Sequence, residues 1–375
     1  MTGVRFEETT AVITGIGAGL PEQVLDNAAV IEAGRLRTTD EWIRTRTGIV
    51  HRRRVAPGIS TGDLAVAAGR AAISSDGGSA PDLLVLATST PDQPCPATAP
   101  YVAHRLGLGT VPAFDVGAVC SGFLYALATA TALLHSGLCR APLVVGADTY
   151  SSIVDPTDRD TAALFGDGAG AVLLRPGRID APGAVLAAAL GADGSGHQLI
   201  AVPGGGSRQP MHLPQVDPKA TTFRMQGREV YAHAVRRMVA SAREALDRAG
   251  WPAETVEAFI GHQANQRILD AVAQRLGIGP EHRFGNIRDV GNTAAASIPL
   301  VMADPTTQRA LTPGRRTLLT AFGGGLTWAS VALNWPATVP RTRPPSPEFD
   351  LTPLSSTDLL RSHAWTPSAS TSSPS

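Results

Sequence analysis

The sequence predicts an α/β protein assembled from two related halves, and three observations lead there. Short apolar runs alternate with helical patterns along the 375 residues, as βαβ units do around a largely parallel sheet. The segments AFDVGAVCSGF (113–123) and AFIGHQANQRI (258–268) share one plan: an apolar strand, a reactive residue, then a helix. Hydrophobic residues are 43% and charged residues 17%, ample apolar material for two domains or one large α/β unit.

Taken in order, TAVITGIGAGL (10–20) reads as a strand and turn. TGDLAVAAGRAAISS (61–75) reads as a helix capped by Thr61. DLLVLATST (82–90) is a buried strand, PATAPYVAHRLGL (96–108) a helix opened by proline, and VPAFDVGA (111–118) a strand leading to Cys120 and a helix. APLVVGADTYS and AGAVLLRP are further strands. The second half starts near GAVLAAALGADGS. Its long helix ends at Gly250, with Val235, Met238, Val239, Ala242 and Leu246 on the apolar face and Arg236, Arg237 and Arg243 outward. VEAFIGHQ is a strand, NQRILDAVAQRLGI a helix, and RTLLTAFGGG and LTWASVALNW are strands joined through glycines. After about Pro336 the chain turns rich in proline and serine, the composition of a flexible tail, with STDLLRSHAW (356–365) as one short docking helix within it. The expected division is 1–175, 176–336 and tail 337–375.

Composition excludes several functions. The net charge is zero, so no bulk attraction to nucleic acid or membrane is expected. No apolar run of about 18 residues suggests a membrane span, and the N-terminus lacks a signal core, which points to the cytoplasm. Three scattered cysteines make neither a disulfide framework nor a zinc site, so no metal is expected. TGIGAG lacks the third glycine of a dinucleotide site, and the glycines at 323 to 325 lack the Lys-Ser/Thr of a phosphate loop.

The chemistry is carried by four stretches. Cys120 stands where an apolar strand meets a helix, among Gly117, Ala118, Ser121 and Gly122. A helix N-terminus favours thiolate and predicts a lowered pKa. By itself such a cysteine reads equally as a small buried hydrophobe. GHQANQR carries His262 and Asn265; GNT carries Asn292, which alone is ordinary turn chemistry. The three glycines can expose backbone N–H groups toward an oxyanion. Together, Cys, His and Asn on an α/β frame suit thioester chemistry. The cysteine takes an acyl group, and neutral histidine and asparagine donate to the thioester oxygen of a malonyl group losing CO2. A papain-like protease uses the same three residue types, but its CGSCW-type context is absent.

DVGAVCSGFLYAL, GHQANQRI, GNTAAASIP and FGGGLTWAS, with TTDEWIRTRTGIVHRR and DPTDRDTAALFGDGAGAVLL, together resemble β-ketoacyl-acyl carrier protein synthase III of the thiolase superfamily, over residues 10 to 336. The resemblance implies a five-layered α-β-α-β-α thiolase-like fold of duplicated halves, acting as a homodimer. It implies Cys120 as the acylated nucleophile and His262 and Asn292 as the decarboxylation pair. The N–H groups of Cys120 and Gly324 form the oxyanion hole, and Phe322 shields the site. Trp42 and Arg159 sandwich the adenine of coenzyme A, with Thr38 and Arg46 nearby, since indole and guanidinium faces stack on a base. Arg267 and Arg275, joined by Arg236 and Arg237, meet an acidic carrier protein. The implied reaction condenses an acyl-coenzyme A primer with malonyl-acyl carrier protein, with acyl-coenzyme A as substrate and no permanently bound cofactor. Plain acyl transfer to a hydroxyl or amine is the alternative, but it does not require Asn292. A catalytically silent partner in a larger complex is a third reading, against which the intact residues argue.

The sequence departs from that family pattern at two places. Cys95 replaces a bulky residue that reaches the partner's primer pocket, which predicts room for longer or branched primers. Val290 replaces a polar or aromatic residue before Gly-Asn. These two departures, with a tail after about Trp335 that lies outside the family's usual end and the Ala- and Gly-rich composition, lean toward a specialised pathway such as polyketide priming over housekeeping fatty-acid initiation.

Overall fold

The computed structural model describes residues 8–212 and 216–346. The segment read as strand and turn is one strand, β1 (Thr9–Gly19), that runs straight through its glycines. A helix packs directly on them: a Cβ at Gly15 or Gly17 would lie 2.4 or 2.2 Å from backbone atoms of Ala72. An antiparallel pair, β2 (Gln23–Asp26) and β3 (His51–Arg54), brackets α1 (Asn27–Gly34) and α2 (Asp40–Thr47). Next comes α3 (Thr61–Ser75). Its cap is Ser60, and Thr61 is already helical: Ser60 Oγ accepts the Asp63 N–H at 3.2 Å, and Asp63 accepts the Ser60 N–H at 2.8 Å. That reciprocal box needs a carboxylate three residues on, which Thr61 lacks.

The chain continues through β4 (Leu83–Ala87), α4 (Ala99–Arg105), β5 (Ala113–Val116), α5 (Gly122–His135), β6 (Pro142–Asp148) and β7 (Gly168–Arg178). Strand β8 (Val185–Ala192) begins the second sheet, and β9 (Ile200–Ala201) pairs with β10 (Arg224–Met225) over the site. Then follow α6 (Gly227–Ala249), β11 (Ala258–Gly261), α7 (Gln266–Leu276), α8 (Ile287–Val290), α9 (Ser297–Ala303), α10 (Pro305–Ala310), β12 (Arg316–Gly323), β13 (Thr327–Asn334) and β14 (Arg341–Arg343).

The first sheet runs β14-β1-β7-β6-β4-β5 and the second β11-β12-β13-β8. Both are covered on two faces, which is why strands such as Leu83–Ala87 are apolar at every position and do not alternate. Leu84 and Leu86 face α3 and α4, while Leu83 and Val85 face inward. Inside, α5 (Phe123, Leu124, Leu127) and α9 (Ile298, Leu300, Val301) fill the space between the sheets, against Leu319 and Val331 of the second. On its far side, α6 and α7 bury Met238, Val239, Leu269 and Val272 against Leu318 and Phe259. The result is five layers, α-β-α-β-α. Each fully buried Leu, Ile or Val contributes about 1.5–3 kcal/mol.

The stretch read as a tail begins ordered. Strand β14 pairs in parallel with the end of β1, and Ser75 Oγ donates to the Val339 carbonyl at 2.7 Å. An uncovered edge strand offers unpaired backbone groups, and Arg341–Arg343 pair with those at the end of β1. The remainder of the tail, with the segment read as a docking helix, lies outside the described residues.

One polar contact joins the layers at depth. Asp148, fully buried at the end of β6, accepts from Ser89 N at 2.7 Å, from the hydroxyls of Thr88, Ser89 and Thr90, and from Ala295 N at 2.9 Å. Asp148→Ala is expected to lower unfolding free energy by about 3 kcal/mol or more, because buried donors lose their acceptor. The urea midpoint measures it; a shift below about 1 kcal/mol would show that these donors find other partners.

Candidate active site

Each reactive side chain follows a strand end. Cys120 lies in a single 3-10 turn, Val119–Ser121, between β5 and α5. Val119 has φ of +46°, a conformation that costs a β-branched residue of order 1–3 kcal/mol and turns the thiol out of the strand direction. Ala294, two residues past Asn292, has φ of +47°. Its N–H donates back to Asn292 Oδ1 at 3.0 Å. Since only the oxygen of that amide can accept, Nδ2 is left as a donor. His262 follows β11, and its N–H donates to the Thr320 carbonyl at 2.8 Å, tying it to β12.

Cys120, His262, Asn292 and Phe322 line one narrow cleft. Its other walls are largely apolar and include Phe165, Ile200, Phe223 and Met225. Phe165 stacks on Tyr150 at 4.4 Å and meets Phe223 edge-on at 5.0 Å, which packs this wall as one aromatic cluster. These aromatic positions carry no signal in the sequence, because they sit in unrelated segments. The glycine turn comes up against the nucleophile: a Cβ at Gly323 would lie 2.8 Å from Cys120 N. Thr327 Oγ1 lies 3.1 Å from the Ala118 carbonyl and 3.0 Å from that of Gly324, and Ser121 Oγ donates to it at 2.8 Å.

Electrostatics correct one expectation. Burial, reinforced by the Asp148 charge, pushes the Cys120 thiol up instead of down. The same burial pulls His262 down to about 3, so its imidazole is neutral. Asp148, also desolvated, rises to about 6.

Other expected residues fall as follows. Arg159 lies 4.7 Å over the Trp42 ring and Arg46 6.0 Å from it, at the surface. Thr38 Oγ1 is buried without a hydrogen-bond partner among the described residues. Arg267 and Arg275 are exposed on α7 and hold no ion pair among the described residues. Arg237 is otherwise engaged, bonded to Asp193 at 2.8 Å and stacked 4.3 Å from Trp328. Asn265 caps α7, accepting from Arg267 N at 2.9 Å. Cys95 stands on the exposed loop 91–97, outside the cleft of its own chain.

A strained cysteine turn, a neutral histidine and an asparagine amide sharing one cleft between layered sheets define a thiolase-fold enzyme of acyl transfer. Comparison with known proteins agrees. Residues 246–335 match the model of 3-oxoacyl-[acyl-carrier-protein] synthase III C terminal, and residues 114–194 that of 3-oxoacyl-[acyl-carrier-protein] synthase III. The β-ketoacyl-[acyl-carrier-protein] synthase III 2 of Streptomyces coelicolor is 53% identical over 340 residues, 91% of this chain and 98% of that protein. The crystal structure of 3-oxoacyl-(acyl carrier protein) synthase III from Pseudomonas aeruginosa superposes with a TM-score of 0.81 at 47% identity, covering 88% of this chain and all of that one. The priming β-ketosynthase of the R1128 polyketide pathway superposes at 0.80 with 34% identity, covering 89% and 99%. The chain belongs to the β-ketoacyl-acyl carrier protein synthase III family.

A neutral His262 predicts that its ring does not titrate at the usual histidine value of about 6.5. Its NMR signals are expected to hold constant from about pH 8 to pH 5. A titration midpoint between about 6 and 7 would show an imidazole in contact with water.

Proposed function

We propose that this chain condenses an acyl-coenzyme A primer with malonyl-acyl carrier protein, releasing CO2 and forming a β-ketoacyl-acyl carrier protein. The observation that carries this reading is the pair of neutral donors, His262 and Asn292 Nδ2, in the cleft that holds Cys120. Plain acyl transfer needs no such pair.

In the first half-reaction Cys120 Sγ bonds to the acyl carbon and the bond to the coenzyme A sulfur breaks. The thiol proton leaves with coenzyme A as its free thiol. Trp42 and Arg159, now in contact, part to admit the adenine between them; Thr38 and Arg46 stand beside it. The oxyanion formed on the acyl carbonyl meets the N–H groups of Cys120 and Gly324, a placement supported by the close approach of Gly323 to Cys120. In the second half-reaction the malonyl C–C bond breaks, CO2 departs, and its electron pair passes to the thioester oxygen, held by His262 and Asn292. The enolate carbon then attacks acyl-Cys120 and expels the cysteine sulfur as a thiolate, which takes up one proton from solvent to restore the thiol. Phe322 shields this step from water. Arg267 and Arg275 offer cationic contacts to an acidic carrier protein, one helix from His262.

A homodimer suits the first sheet, whose strand β5 is an edge. Asp115 of that strand accepts from Thr98 N and Ala99 N, which anchors the loop of Cys95 beside it. A second copy seated there receives Cys95 at its primer pocket. We read 1–175 and 176–336 as the duplicated halves, on the matching places of Cys120 after β5 and His262 after β11. Substrates of this kind and three unpaired cysteines suit the cytoplasm.

Incubation with acyl-coenzyme A is expected to add one acyl mass to the intact protein, and Cys120→Ala to abolish it. Asn292→Ala is expected to slow CO2 release from malonyl-acyl carrier protein by roughly 100- to 1000-fold while leaving acyl loading intact. Loss of the acyl group to a small alcohol without CO2 would sink the condensing reading. Cys95→Phe is expected to shift preference toward shorter primers, read as loading rates across a panel of acyl-coenzyme A species; an unchanged profile would remove Cys95 from the pocket.

A further inference from the structure

Ser297, the first residue of α9, is buried to 1% exposure and lies 35 residues from His262 in sequence. Its Oγ is 2.7 Å from His262 Nδ1 and also takes the Gln263 N–H at 3.4 Å. A hydroxyl has one proton to give. Among the described residues the only acceptor within reach of that proton is Nδ1, since the other contact to Oγ comes from a donor. The bond therefore runs from Ser297 O–H to Nδ1, which makes Nδ1 the acceptor and puts the single proton of the neutral ring on Nε2.

We propose that Ser297 is a positioning residue that sets the tautomer of His262, so that Nε2–H is the donor offered to the thioester oxygen. The inference rests on the reading of His262 as a decarboxylation donor. It also assigns the ring a role: with its proton on Nε2, His262 gives a hydrogen bond in the cleft and does not take the Cys120 proton. Ser297 is itself placed from the first half. The turn before it, Ala294–Ala296, is held to Asp148 through Ala295 N. Gln263 is fixed in turn, its Oε1 accepting from Asn286 N and Ile287 N at 3.1 Å each.

The test uses full-length enzyme with ¹⁵N-labelled histidine, the His262 signals being those missing in His262→Ala. In the unaltered protein the proton is expected on Nε2, with Nδ1 shifted as a hydrogen-bond acceptor. In Ser297→Ala the Nδ1 signal is expected to move, and CO2 release from malonyl-acyl carrier protein to slow at least about tenfold, short of the roughly 100- to 1000-fold cost of losing a donor outright. Acyl loading of Cys120 is expected to stay within about twofold, because the loading step does not use the ring. Ser297→Thr, which keeps the hydroxyl, is expected to recover Nε2 protonation. A proton found on Nδ1 in the unaltered protein overturns the proposal even if Ser297→Ala does not fold. So does a Ser297→Ala enzyme that decarboxylates at the normal rate, or one that loses both half-reactions together. Normal decarboxylation by His262→Ala would instead refute the role of His262, a separate result.

Discussion

The active site depends on how closely the loop before α9 approaches the first sheet. Asp148 draws Ala295 N to its carboxylate, and Gly146 makes room: a Cβ there would sit 2.4 Å from the Ala295 carbonyl. Gly170 does the same for Pro299, 2.7 Å away. Those contacts fix the segment that carries Asn292 at one end and Ser297 at the other. Cys120 arrives from the same sheet through β5 and a strained turn. The geometry of nucleophile and donors is thus set by one buried carboxylate and two absent side chains, none of which touches the cleft.

Burial has opposite consequences for the two titratable groups in the cleft. Water stabilises charge, so its exclusion favours the protonated thiol and the unprotonated imidazole. A donor pair for an enolate requires a neutral ring, and desolvation supplies one without any charged neighbour. The same exclusion leaves Cys120 with a proton to lose, which makes departure of the thiol proton with coenzyme A part of the loading step.

The fold was legible because both sheets are covered on two faces. Runs such as LLVLA and RTLLTAFG advertise buried strands, and the period of Val235, Met238, Val239, Ala242 and Leu246 advertises the face of α6. Local detail was less so. Ser60 and Thr61 are equally good caps by type, and only the position of Asp63 decides between them. Glycines 15, 17 and 19 resembled a turn because the sequence does not show the helix lying against them. The stretch after 336 resembled a tail by composition, although backbone pairing with β1 asks little of side chains.

Of the site, the sequence by itself determined the chemistry: a cysteine, a histidine and an asparagine, each at a strand end or turn, and a run of glycines. Residue type and local spacing suffice for that, since reactivity belongs to the side chain. Tertiary structure decided the protonation and direction of those groups. The positive φ of Val119 and Ala294, the bond from Ala294 N that turns Asn292 Nδ2 outward, the hydroxyl of Ser297 on His262 and the carboxylate of Asp148 all follow from packing. Two of these contacts span 35 residues or more, and desolvation exists only once the layers have closed.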